Sequence, residues 1–119
     1  MNINQLLVGT ILAMTADSAA QAHPRLESSQ PKAESVLESS PKQLRLQFNE
    51  PLEPAFSKLR LTDAANADVA VSSVGLDKSN RSMLVADVPV LRAGQYRVQW
   101  SAVGHDGHKI KGEFGFKVK

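Results

Sequence analysis

From Gln43 onward the chain alternates apolar and polar residues with a period of two. The stretch "QLRLQFN" puts Leu44, Leu46 and Phe48 on one face, "SKLRLTD" does the same with Leu59 and Leu61, and "DVAVSSV" with Val69 and Val71. Further on, "SMLVADV" offers Met83 and Val85, "QYRVQWSAV" offers Tyr96, Val98, Trp100 and Ala102, and "EFGFKVK" offers Phe114, Phe116 and Val118. That period belongs to strands with one buried and one wet face. No long helical stripe competes with it. Pro-, Asn- and Gly-containing segments ("SSPK", "NEPLEP", "DAANAD", "LDKSN", "LRAG") separate the runs and read as turns. Half-buried strands bury their apolar faces against one another, so the pattern predicts an all-β fold: a Greek-key β-sandwich of about seven strands. There is no internal repeat and no low-complexity linker.

The first 22 residues break the pattern. "MNINQLLVGTILAMTADSAAQA" holds an apolar run from Leu6 to Met14, a small polar segment, and then Ala20-Gln21-Ala22, the small-x-small spacing of a signal-peptidase site. No Lys or Arg precedes the apolar run and Asp17 follows it, which departs from the usual leader. The run is far shorter than the roughly 20 residues of a membrane span. The expected organisation is a signal peptide over residues 1–22, cleaved after Ala22, and one exported domain over residues 23–119 with no membrane span.

Composition narrows the function. With 42% apolar and 22% charged side chains the chain has material for one modest core. Its net charge of +2 comes from interspersed residues, and the longest basic cluster, "HKIKG", is interrupted, so nucleic-acid binding is not indicated. The absence of cysteine removes disulfides, thiolate metal sites and Cys nucleophiles together. Histidine, carboxylate, methionine and backbone are the metal ligands left.

The histidines then stand out. His23 directly follows the predicted cleavage position, and the other two, His105 and His108, flank Asp106 in "WSAVGHDGHKIKGEF". A chain starting at His23 presents an α-amine and an imidazole on one residue, which can chelate one ion. Pro24 has no N–H to lose, so the next backbone amide cannot join that chelate. Asp106 and His108 are two apart, which on an extended segment sends both side chains to the same face. The resulting nitrogen and oxygen set suits tetragonal Cu(II), which heads the divalent affinity order, although zinc accepts the same donors. An isolated D-x-H in a glycine-containing loop is ordinarily a solvated turn; the conjunction with His23 and Pro24 raises its weight. His105 leaves an extended segment on the side opposite Asp106 and reads as a surface residue that could substitute as a ligand.

At these residues the chain resembles the CopC/PcoC family of periplasmic copper-binding, copper-resistance proteins, over the whole region after the leader. "AHPRLESSQPKAESVL" is similar to the family's His-Pro opening, "LRLQFNEPLEPAFSKLRLTD" to its "L-x-F-S-E…FSGAKL" stretch, and "LRAGQYRVQWSAVGHDGHKIKGEFGFKVK" to its closing "L-x-x-G-x-Y-x-V-x-W…S-x-D-x-H-x-x-x-G-x-x-x-F-x-V" pattern. The resemblance implies a Greek-key sandwich, immunoglobulin-like or cupredoxin-like, with a Cu(II) site made by His23, Asp106 and His108. Glu50 falls where some members place a further carboxylate near the metal. Some members also hold a Cu(I) site in a Met-rich loop; here "TDAANADVAVSSVGLDKSN" contains no Met, and Met83, alternating with Val85, reads as core. The expected function is periplasmic Cu(II) buffering or carriage by a monomer, without catalysis, with delivery to a CopD-like inner-membrane copper transporter. Two other classes fit parts of the pattern: a copper oxygenase built on a terminal-histidine chelate, and a metal-free immunoglobulin-like interaction module.

Overall fold

In the computed structural model the described residues are 25–119, so the expected leader, the expected cleavage position and His23 lie outside them. Within them the chain forms nine strands: β1 (Leu26–Gln30), β2 (Ser35–Leu37), β3 (Gln43–Phe48), β4 (Lys58–Asp63), β5 (Asp68–Val69), β6 (Ser72–Asp77), β7 (Asn80–Asp87), β8 (Gly94–Val103) and β9 (Lys109–Val118). They make a four-stranded sheet in the order β1-β3-β7-β6 and a five-stranded sheet in the order β2-β9-β8-β4-β5. Pairing is antiparallel except where β2 runs parallel to β9. Four of these strands give the A-B-E-D sheet of an immunoglobulin-type sandwich, and β9, β8 and β4 its G-F-C sheet, flanked here by β2 and β5. Tyr96, near the start of β8, donates its hydroxyl proton to the Arg92 carbonyl oxygen at 2.7 Å, the tyrosine corner of such sandwiches.

The expected all-β sandwich is observed, with more strands than the apolar alternation suggests. The run "DVAVSSV", expected as one strand, is divided between β5 in the five-stranded sheet and β6 in the four-stranded one, with Val69 and Val71 partly buried against the core. The rest of the difference lies in short or polar strands: β1 reads "LESSQ" and β2 has three residues, so neither carries an alternating apolar face. Their places come from pairing with a neighbour rather than from a pattern of their own.

Both sheets contribute to one core. Leu44, Leu46 and Phe48 from β3 and Leu84 and Ala86 from β7 face Leu59 and Leu61 from β4, Val98, Trp100 and Ala102 from β8, and Phe114, Phe116 and Val118 from β9. Trp100 meets Phe48 edge-to-face with ring centroids 5.1 Å apart, a favoured aromatic geometry across the sandwich. One strand turns the other way from the sequence expectation. Leu84 and Ala86 are buried while Met83 and Val85 are only half-buried, on the outer face. "SMLVADV" is apolar at both parities, so its alternation does not choose a face. The register does: Leu46 pairs with Leu84 and Leu44 with Ala86, which carries the pair inward beside β3's own core residues. Met83 is therefore no part of the core.

Gly112 lies across the β8–β9 ladder from Trp100. A Cβ there would come 2.5 Å from Trp100 Cζ2 and 2.9 Å from Cε2, so the indole occupies the space of the missing side chain. Gly112→Ala is expected to cost about 1–3 kcal/mol by overpacking and to lower the Tm by roughly 5–20 °C. Thermal unfolding followed by circular dichroism reads this directly; an unchanged Tm would mean that the indole has another place to lie.

Candidate metal centre

The motif "GHDGH" closes the β8–β9 hairpin. The Gly107 N–H donates to the Gly104 carbonyl at 3.0 Å and the Gly104 N–H to the His108 carbonyl at 3.0 Å. Gly107 has a φ of 85°, a conformation glycine adopts without steric cost. Together these make a three-residue hairpin loop, a turn centred on His105 and Asp106 followed by a left-handed glycine. The expectation of an extended segment is corrected here: the chain reverses over residues 105–107. The Asp-Gly dipeptide was the sequence signal for that turn.

Asp106 and His108 nevertheless meet, by a different route. The carboxylate folds over the turn, so that Asp106 Oδ1 accepts the His108 backbone N–H at 3.1 Å while Oδ2 lies 2.7 Å from His108 Nδ1. This is the local side-chain-to-backbone bonding that aspartate favours in turns. The His108 ring, and then its backbone N–H, hold the Asp106 carboxyl below the usual carboxylate value, so it stands as an anion beside the imidazole. Two donors about 2.0–2.1 Å from one ion and at right angles lie about 2.9 Å apart. The 2.7 Å pair is thus close to the spacing of neighbouring ligands, with a proton where an ion would sit.

The crossover from β3 to β4 carries Glu50. Arg25 is fixed to its first residue: the Arg25 N–H donates to Asn49 Oδ1 at 2.6 Å and the Asn49 N–H donates to the Arg25 carbonyl at 3.1 Å. The crossover then ties onto the hairpin. Leu52, fully buried, donates its N–H to the Arg81 carbonyl at 3.0 Å and pairs with Gly104; the Glu53 N–H donates to the Val103 carbonyl at 2.8 Å. The buried Ser57 hydroxyl accepts the Val103 N–H at 3.3 Å and donates to the Glu53 carbonyl at 2.9 Å, so its polar atom is satisfied inside the fold. Arg25 and the hairpin tip therefore share one end of the sandwich.

Glu50 is half-buried on this crossover, next to Asn49. Among the described residues no three His, Asp or Glu side chains gather into one set of donors, so Glu50 does not join Asp106 and His108 into a trio. Glu53, which the sequence did not single out, faces His105: its Oε1 lies 3.8 Å from His105 Nδ1. Nothing in the local sequence pairs residues this far apart. Only the crossover's attachment to β8 brings them together.

Fold and site together define a small immunoglobulin-like sandwich with nitrogen and oxygen donors collected at one end. The chain belongs to the CopC family, whose model, described as the CopC domain, matches residues 26–119. It is 34% identical over 124 residues to copper resistance protein C of Escherichia coli, covering 98% of each chain. The crystal structure of PcoC, a methionine-rich copper resistance protein from Escherichia coli, superposes with a TM-score of 0.73 at 36% identity, covering 82% of this chain and 99% of that one. The chain also matches the copper transport protein CutJ of Bacillus subtilis at 30% identity over 98 residues, covering 82% of this chain and 18% of that larger protein.

Proposed function

We propose that the protein is an exported, periplasmic Cu(II) carrier or buffer whose binding site is completed by its own cleaved N-terminus. In this reading the α-amine and imidazole of His23 chelate the ion, the His108 imidazole supplies a further nitrogen, and the Asp106 carboxylate supplies oxygen. Glu50 adds negative charge at the same end of the sandwich. The observation that carries the reading is the pinning of Arg25 to Asn49, on the crossover that is itself bonded to the hairpin bearing Asp106 and His108. The copper resistance and copper transport names of the relatives support copper as the cargo, and the donor set favours the divalent ion.

A copper ion in this site is cargo, and the chain's own groups suffice to hold and release it. The Asp106 carboxylate, already ionised beside His108, orients the ring and partly neutralises the ion's charge. Protons compete at the amine and the imidazoles, so release is favoured as pH falls. The copper transport name of CutJ supports a role in moving the ion, and in this reading the receiver is a membrane copper transporter of the CopD kind. Trp100 is buried in the core and Tyr96 stacks on Phe116, so neither of these two rings is an exposed platform for a sugar substrate.

The chain starting at His23 is expected to bind one Cu(II) per molecule with a tetragonal, nitrogen-rich electron paramagnetic resonance spectrum. Cu(I) is expected to bind poorly by comparison, because Met83 is the only Met among the described residues and lies alone on the outer face of the four-stranded sheet. Competition against chelators selective for each oxidation state measures both. A tight, stoichiometric Cu(I) complex that survives replacement of His23 and His108 would reveal a soft site elsewhere and overturn this assignment.

A further inference from the structure

Exposure at the hairpin tip rises in steps: the Asp106 side chain is 30% exposed, His108 58% and His105 87%. His105 is thus the outermost donor on the same tight turn as the proposed copper ligands. It does not stand alone. Glu53 Oε1 is 3.8 Å from its Nδ1, and that placement is built into the fold, because the Glu53 backbone is bonded to Val103 and Ser57 and its neighbour Leu52 to Gly104. A separation of 3.8 Å is too long for a hydrogen bond. It matches two donors on opposite sides of one ion, each about 2.0 Å from it.

We propose that His105 and Glu53 form a second, transient copper position through which the ion passes between solvent and the tight site. This rests on the copper reading above. Two solvent-exposed donors make a weak site. It is weakened further by the ammonium groups of Lys58 and Lys109, which line the same cleft of about 530 Å³ together with Phe56. A weak site beside a tight one is what ligand exchange needs. In this proposal copper(II) changes ligands by adding an incoming donor before losing an outgoing one, and the His105 imidazole, three residues from His108 on the same hairpin, is that incoming donor. No electron moves in the exchange; one metal–ligand bond forms at His105 as one to the external chelate breaks, and the reverse on release. Because the rim position is empty at equilibrium, it alters the rate of exchange and leaves the final affinity alone.

The experiment compares the chain starting at His23 with its His105→Gln and Glu53→Gln variants. Cu(II) transfer to and from a chromophoric chelator is followed by stopped flow, with quenching of the single tryptophan, Trp100, as the protein-side signal. Equilibrium affinity is measured by competition against the same chelator. His105→Gln is expected to slow capture and release alike by about tenfold, with affinity changed by less than about twofold, and Glu53→Gln to slow both by a smaller factor. Unchanged rates would overturn the proposal. So would a large loss of affinity in His105→Gln, which would make His105 a ligand of the tight site. If the unsubstituted chain takes up no copper, the proposed function itself fails; if it binds tightly and only the rates are insensitive, the relay alone is wrong.

Discussion

Replacing His108 by Ala is expected to weaken Cu(II) binding by at least about a hundredfold, more than the ten- to hundredfold that changes outside the ligand shell typically bring. The substitution removes an imidazole donor and also strands Asp106, whose Oδ2 loses the ring nitrogen 2.7 Å away. The carboxylate then drops out of the spacing suited to neighbouring ligands. The fold is expected to survive, because His108 lies on the surface at the hairpin tip and its backbone carbonyl still accepts from Gly104. Competition titration of the variant and the parent, with matched thermal unfolding curves, makes the measurement. Equal affinities would remove His108 from the site. Asp106→Asn is the informative companion: it keeps the turn's hydrogen bond to the His108 N–H through the amide oxygen while removing the charge.

Retaining residues 1–22 is expected to be about as damaging. A leader joined to His23 converts its amine into a peptide N–H, and the terminal chelate collapses to a single imidazole. The full 119-residue chain should fold, because every strand of both sheets lies at or beyond Leu26. Its Cu(II) affinity is expected to be at least about a hundredfold lower than that of the chain starting at His23. The pH dependence gives a second, independent readout. In the shorter chain a proton competes with the metal at the α-amine, so affinity rises by up to about tenfold per pH unit until the amine's pKa, about 7.7–8.0, is passed. That contribution is absent from the full chain. Paired competition titrations across this pH range measure both effects; identical affinities and slopes would mean that the amine is not a ligand and that copper, if bound, is held by Asp106 and His108 with other partners.

Much of the architecture was legible in the chain because strands announce themselves where one parity is apolar and the other polar. In "QLRLQFN", "SKLRLTD", "QYRVQWSAV" and "EFGFKVK" the apolar parity is unambiguous, and each residue assigned to the core by that rule is buried, apart from Tyr96, which is partly buried against it. The rule failed at "SMLVADV", where both parities are apolar and the choice fell to register with β3. In "DVAVSSV" it expected one strand where the chain passes from β5 in one sheet to β6 in the other. It was silent on β1 and β2, whose positions follow from hydrogen bonding to neighbours and not from side chains of their own.

The same division runs through the site. Local sequence determined which donors exist: a histidine behind a small-x-small motif, an Asp-x-His, no cysteine and no cluster of methionines. It also contained the Asp-Gly turn that reverses the hairpin and lets the Asp106 carboxylate reach His108, since that interaction spans only two residues. What the tertiary structure alone decided is proximity across long stretches of chain. The meeting of Arg25 with Asn49, of Leu52 with Gly104 and of Glu53 with His105 depends on a crossover packed over one end of the sandwich and anchored by a fully buried leucine. Such contacts are settled by how two sheets close on a shared core, an interaction that no window of sequence contains.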